Sequence, residues 1–191
     1  MQSAIQTTIN EQLSTKSMIH QLKYSEYKPQ LIKLPVIFIL EDVSSYDNVG
    51  LIFRSSDAFG VSKLFLTGKT PSPPHKLIGR YSGGCDKHIP FEYFENTIEA
   101  IGSLKNDGYF IGALEITNKS VNIRSKNFSN IPKLAILVGS ERVGVKPETL
   151  KACDETFHIE SLGFGLSVNV AIAASICMFE IAEQMKVKSE E

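Results

Sequence analysis

Short apolar, β-branched runs recur along this chain with helix-like segments between them, and that alternation limits the fold more than any other feature. The runs lie at 36–40 (VIFIL), 63–67 (KLFLT), 109–114 (YFIGAL), 134–138 (LAILV) and 156–159. They are almost continuously hydrophobic, as strands covered on both faces must be. Helix-like segments lie at 48–59, 97–105, 147–152 and 167–185. Gly60 and Gly108 stand just past two of them, where a left-handed cap is easiest for glycine. Pro147 suits a first helical turn, where its missing N–H costs nothing. The pattern predicts an α/β fold with a mostly parallel sheet and helices on both faces.

A length of 191 residues fits one domain with a short appendage, and a chain of that size buries roughly 70% of its unfolded surface. The 42% hydrophobic share excludes intrinsic disorder, and no Gly-X-Y or heptad run points to a fibrous class. A net charge of −1 argues against holding nucleic acid by bulk charge, so any such contact must come from a local patch. Cys85, Cys153 and Cys177 are an odd number and far apart, with no CxxC and no histidine at zinc-ligand spacing. Reduced thiols, no disulfide framework and no metal site are expected. The polar start lacks the features of a secretory signal, and the apolar run at 168–181 is too short for a bilayer. A soluble, cytoplasmic protein is the expectation.

Residues 1–34 read as a separate N-terminal helical arm, and 35–191 as the main domain. Positions 4–22 fit an amphipathic helix with Ile5, Ile9 and Leu13 on one side. Four lysines against two glutamates over residues 1–35 allow either a helix packed on protein or a basic arm on nucleic acid. Pro71-Ser72-Pro73-Pro74 reads as a loop.

Three loops carry residues suited to chemistry. In the first, Asp47 to Gly60 after a strand, Asp47 or Asn48 is expected to cap a helix, and Gly50 permits close backbone approach. Arg54 falls within the first two turns, six residues past Asn48 and roughly opposite it, and a guanidinium beside a helix start favours an anion such as phosphate. In the second, Gly139-Ser140-Glu141-Arg142-Val143-Gly144 turns sharply after a buried strand. It is neither a P-loop nor a G-x-G-x-x-G fingerprint, though a nucleoside held by backbone at the strand ends is compatible with it. The third runs from Ile159 through Gly163 to Ala171. Ser167 is read as the N-cap of the last helix, with Asn169 in its first turn pointing outward. Ile172, Ile176 and Phe179 recur at helical spacing in that helix and are read as core.

In order and spacing these loops resemble the three motifs of the SpoU/TrmH family of RNA 2′-O-methyltransferases. Asn48 to Gly60 matches Asn-x-Gly-x-(Ile/Leu)-x-Arg-(Ser/Thr)-x-x-x-Phe-Gly; Gly139, Glu141 and Gly144 match Gly-x-Glu-x-x-Gly; Ser167 to Val170 matches Ser-(Leu/Val)-Asn-Val. The resemblance implies a C-terminal trefoil knot, a homodimer, and S-adenosyl-L-methionine as cofactor. It implies cofactor contacts from Leu114, Gly139, Ile159, Ser167 and Val168, and a catalytic set of Asn48, Arg54, Glu141, Ser167 and Asn169. The implied reaction methylates a ribose 2′-hydroxyl, in transfer RNA first and ribosomal RNA next, without a metal. Glu160 and Ser161 depart from the family's usual Pro and Met, placing a carboxylate beside the cofactor loop. Two other readings stand beside it: a knotted-fold RNA-binding protein that has lost catalysis, and a nucleotide-dependent oxidoreductase, against which the missing dinucleotide fingerprint counts.

Overall fold

The computed structural model describes residues 20–23, 25–165 and 167–186. Ile32 onward forms one compact unit. The described residues before it carry no helix or strand; a turn at Ser25–Glu26 closes with the Glu26 N–H donating to the Lys23 carbonyl at 2.9 Å. Most of the helix expected over 4–22 therefore lies outside the described residues, and 20–22 are irregular.

Among the described residues seven strands build one parallel sheet: β1 (Leu34–Glu41), β2 (Val61–Thr67), β3 (Phe91–Phe94), β4 (Phe110–Leu114), β5 (Val121–Asn122), β6 (Leu134–Val138) and β7 (Glu155–His158). Their order is β3-β2-β1-β6-β4-β7-β5. Phe38 of β1 sits opposite Leu64 of β2 on one side and Ile136 of β6 on the other. The strand alternation splits the core in two. Leu34, Val36, Phe38 and Leu40 face one cluster, and Ile37 and Ile39 the other. The helices are α1 (Tyr46–Ala58), α2 (Lys76–Ser82), α3 (Thr97–Asn106), α4 (Pro147–Ala152) and α5 (Val170–Lys186). Residues of α1, α2 and α5 pack with the first cluster and residues of α3 with the second, so both faces are covered as the alternation predicts.

The five expected strands are present, with ends that agree within two residues. Two more, β3 and β5, lie at the sheet edges; β3 is only half-buried and β5 is two residues long, so neither leaves a hydrophobic run to read. Gly60 and Gly108 take φ of 70° and 82°, and Pro147 opens α4. The expected caps are corrected. The N-cap of α1 is Ser45, so Asp47 lies in its first turn, Asn48 is buried inside it and Arg54 falls in its third turn. The last helix begins at Val170, capped by Asn169 and not by Ser167, because the Asn169 Oδ1 accepts the Ala171 and Ile172 N–H groups at 2.9 and 3.3 Å. Ile172, Ile176 and Phe179 are not core: they are 53%, 41% and 51% exposed. The buried side of α5 is Ala171, Ala174, Cys177, Met178, Ile181 and Met185. Both sides are apolar at helical spacing, so periodicity alone does not choose between them. No helix among the described residues is long and apolar enough to cross a membrane.

Candidate active site

A parallel sheet gathers its loops at the carboxyl ends of its strands. Here the ends of β4, β6 and β7 open into a cavity of about 540 Å³, within the range of small-molecule sites. Leu114, Val138, Phe157, Ile159 and Val168 give it apolar walls. The loop after β6 is held tight by paired backbone bonds, Ser140 N–H to the Gly144 carbonyl at 3.2 Å and Gly144 N–H to the Ser140 carbonyl at 3.0 Å. A Cβ on Gly139 would run into the Gly144 carbonyl group, and Gly144 has φ of 72°. Glycine is therefore required at both by the loop's own closure.

That closure presents Glu141. Its carboxylate accepts the Asn48 Nδ2 at 2.8 Å and the Ser44 and Ser45 N–H groups at 3.3 Å each. Partial burial pushes the Glu141 carboxyl up, but the Asn48 amide and the backbone N–H groups outweigh it and hold the group below its ordinary value. Asn48 in turn accepts the Asn169 Nδ2 on its Oδ1 at 3.0 Å. Asn169, expected to point outward, is turned toward Asn48, and one side chain from each of the three loops meets in a single hydrogen-bonded row.

Leu114, Gly139, Ile159, Ser167 and Val168 all line the cavity, as do Glu141 and Asn169. Asn48 stands behind Glu141. Arg54 is not brought to this cavity: it is exposed on α1 and makes no hydrogen bond or ion pair with the described residues. Ser167 is exposed on the cavity rim and has no part in the row. Glu115, which sequence reasoning passed over, also lines the cavity. Its carboxylate takes the Ile116 N–H at 3.0 Å and the Val145 N–H at 2.8 Å, tying the end of β4 to the far side of the Gly139–Gly144 turn. Its one sequence signal is a charge directly after an apolar run. Glu160 lines the cavity too and accepts the Asn122 Nδ2 at 3.2 Å.

Apolar walls, loop backbone and the carboxylates Glu115, Glu141 and Glu160 suit a ligand with a flat apolar ring, hydroxyls and a positive charge. S-adenosylmethionine has all three. Among the described residues no group of three or more His, Cys, Asp or Glu is placed to hold a metal ion.

The SpoU rRNA Methylase family pattern matches residues 35–179. A tRNA (guanosine(18)-2′-O)-methyltransferase of Borreliella burgdorferi is 30% identical over 152 residues, covering 80% of this chain and 68% of that protein. A 23S rRNA (guanosine-2′-O-)-methyltransferase of Blochmanniella floridana is 26% identical over 187 residues, covering 97% and 72%. Among solved structures, a TrmH/SpoU tRNA modifying enzyme of A. aeolicus superposes with a TM-score of 0.75 at 27% identity, covering 84% of this chain and 80% of that one. An AdoMet-bound rRNA methyltransferase of Sinorhizobium meliloti gives 0.74 at 26%, covering 87% and 62%.

Proposed function

Because the chain belongs to the SpoU rRNA Methylase family, within the SPOUT superfamily, we propose that it methylates a ribose 2′-hydroxyl of RNA in the cytoplasm, in transfer RNA first and ribosomal RNA second. The observation that carries this reading is the row Glu141–Asn48–Asn169, which joins the three motif loops at the mouth of one cavity. S-adenosylmethionine, bound there, supplies an electrophilic methyl group on a sulfonium. Leu114, Gly139, Ile159, Ser167 and Val168 would hold it through apolar contact and backbone, while Glu115 and Glu141 fix the Gly139–Gly144 turn that lines the cavity.

A 2′-hydroxyl is a poor nucleophile and needs surroundings that favour its anion. A guanidinium does not give up its proton, so Arg54 is not the base. Arg54 holds an RNA phosphate and lowers the hydroxyl pKa beside it, and the phosphate or water takes the proton. Arg54 lies off the cavity, next to Ser55, whose hydroxyl meets that of Ser175 on α5 at 2.6 Å. The exposed face of α5 carries Ile172, Ile176 and Phe179. Both facts support a homodimer built on that face, in which a second copy completes what one chain lacks. The insertion of β6 between β1 and β4 supports the knotted path that the resemblance implies.

Replacing Arg54 by Lys is expected to remove most methyl transfer while calorimetric binding of S-adenosylmethionine persists; full activity would overturn the assigned role. Comparing 2′-O-methylation position by position in RNA from cells with and without the gene identifies the target and decides between transfer and ribosomal RNA.

A further inference from the structure

The methyltransferase reading leaves open how RNA reaches the row, and α2, which no motif covers, offers an answer. Residues 69–88 hold Lys69, Lys76, Arg80 and Lys87 against one acid, Asp86. Four lysines elsewhere are tied up in ion pairs: Lys63 with Glu92, Lys105 with Asp154, Lys126 with Glu155 and Lys146 with Asp42. Lys76 and Arg80 are exposed and have no ion-pair partner among the described residues.

The same element carries rings. Tyr46, two residues before Asn48, stacks on His75 with centroids 4.0 Å apart and planes at 16°, and Tyr46 is 38% exposed. Tyr81 is also 38% exposed, with the Arg80 guanidinium 5.9 Å from its ring centre. The contacts set the direction of the strip. His75 meets Tyr46 at the start of α1, Ile78 to Ser82 lie against Gly50, and Cys85 meets Asp57 near its end at 3.7 Å. So α2 runs beside α1 from the residues that hold Glu141 toward those around Arg54.

We propose that the outer face of α2, together with Tyr46, is the track on which single-stranded RNA lies, with bases stacking on the Tyr46–His75 pair and on Tyr81 and phosphates meeting Lys76 and Arg80. Partly exposed rings beside cations without an acidic partner are what unstacked nucleotides bind; a duplex hides its bases and offers phosphates alone. The substrate is then a loop or other unpaired segment. This rests on the methyltransferase reading of the same site.

The test uses the full chain with a mixed-sequence single-stranded RNA and a fully paired duplex of equal length. The parent is expected to favour the single strand at least fivefold. Tyr46→Ala removes that preference, and Tyr46→Phe keeps it. The double variant K76A/R80A weakens binding of both RNAs about tenfold and lowers the salt slope for the single strand by about 1.4. Calorimetric binding of S-adenosylmethionine stays as in the parent for each variant; Tyr46→Ala, which loses the stack on His75, melts somewhat lower but remains folded. Unchanged RNA binding in K76A/R80A, or equal loss for both RNAs in Tyr46→Ala, overturns the track alone if the parent methylates cellular RNA. A parent that neither binds nor methylates RNA overturns the functional reading and the track with it.

Discussion

At Asn169 the two ends of one amide serve different tasks: Oδ1 starts α5 by taking two backbone N–H groups, and Nδ2 reaches Asn48. Replacing it by Asp keeps the cap's acceptor but removes the donor and sets a carboxylate against the buried Asn48 Oδ1, so methyl transfer should fall at least tenfold while the helix cap survives. Alanine removes both and should cost about 1 kcal/mol as well. Thermal melts beside turnover separate the cap from the site; full turnover in Asn169→Asp would show that the donor is not needed. Glu141 gives a pH signature. Its carboxyl is held below its ordinary value near 4.5. A group depressed in the folded state contributes stability above that value and loses it as the pH falls through its folded pKa. The parent's melting temperature should therefore drop more steeply below pH 4.5 than that of Glu141→Gln; parallel curves would contradict the bonding described. The resemblance to the family's three motifs marked Asn48, Glu141 and Asn169, since each falls on a motif position in a loop that follows a strand. Glu115 falls on no such position, and its work with Val145 appears only once residues 30 apart are folded together.

Elements were legible in proportion to how deeply they are buried. Central strands with both faces covered write apolar runs into the chain, whereas β3 and β5 at the edges do not. α2 follows a proline-containing loop and carries Gly79, so its seven residues look like more of the same loop. Gly50 shows how tightly that short helix is held: a Cβ there would lie 2.7 Å from the Tyr81 Cβ and 2.8 Å from the Ile78 carbonyl oxygen. The close approach expected of this glycine is thus to α2. Gly50→Ala should push α2 off α1 and cost about 1–3 kcal/mol, read as a lowered melting temperature. Unchanged melting would mean that α2 shifts freely.

For the whole molecule, the balance of 20 basic and 21 acidic residues said nothing of where charge lies, because four lysines sit in ion pairs while Lys76 and Arg80 on α2 do not. The two apolar sides of α5 likewise hid which one faces outward. If the exposed side is a subunit contact, Ile176→Glu should convert dimers to monomers in sedimentation and reduce turnover with them; a parent already monomeric at the same concentration would refute the dimer. The sheet order also sets a timetable. Phe38 has one neighbour in Leu64 and the other in Ile136. At synthesis rates of about 5–20 residues per second, β1 waits about 5–20 s for that second neighbour to be made. Until then the side of β1 that β6 covers in the finished sheet has no partner, and an uncovered strand edge is what pairs with passing chains. The cavity needs still later residues, up to Ala173. A ribosome that stops early releases a partly built sheet and no fraction of the activity.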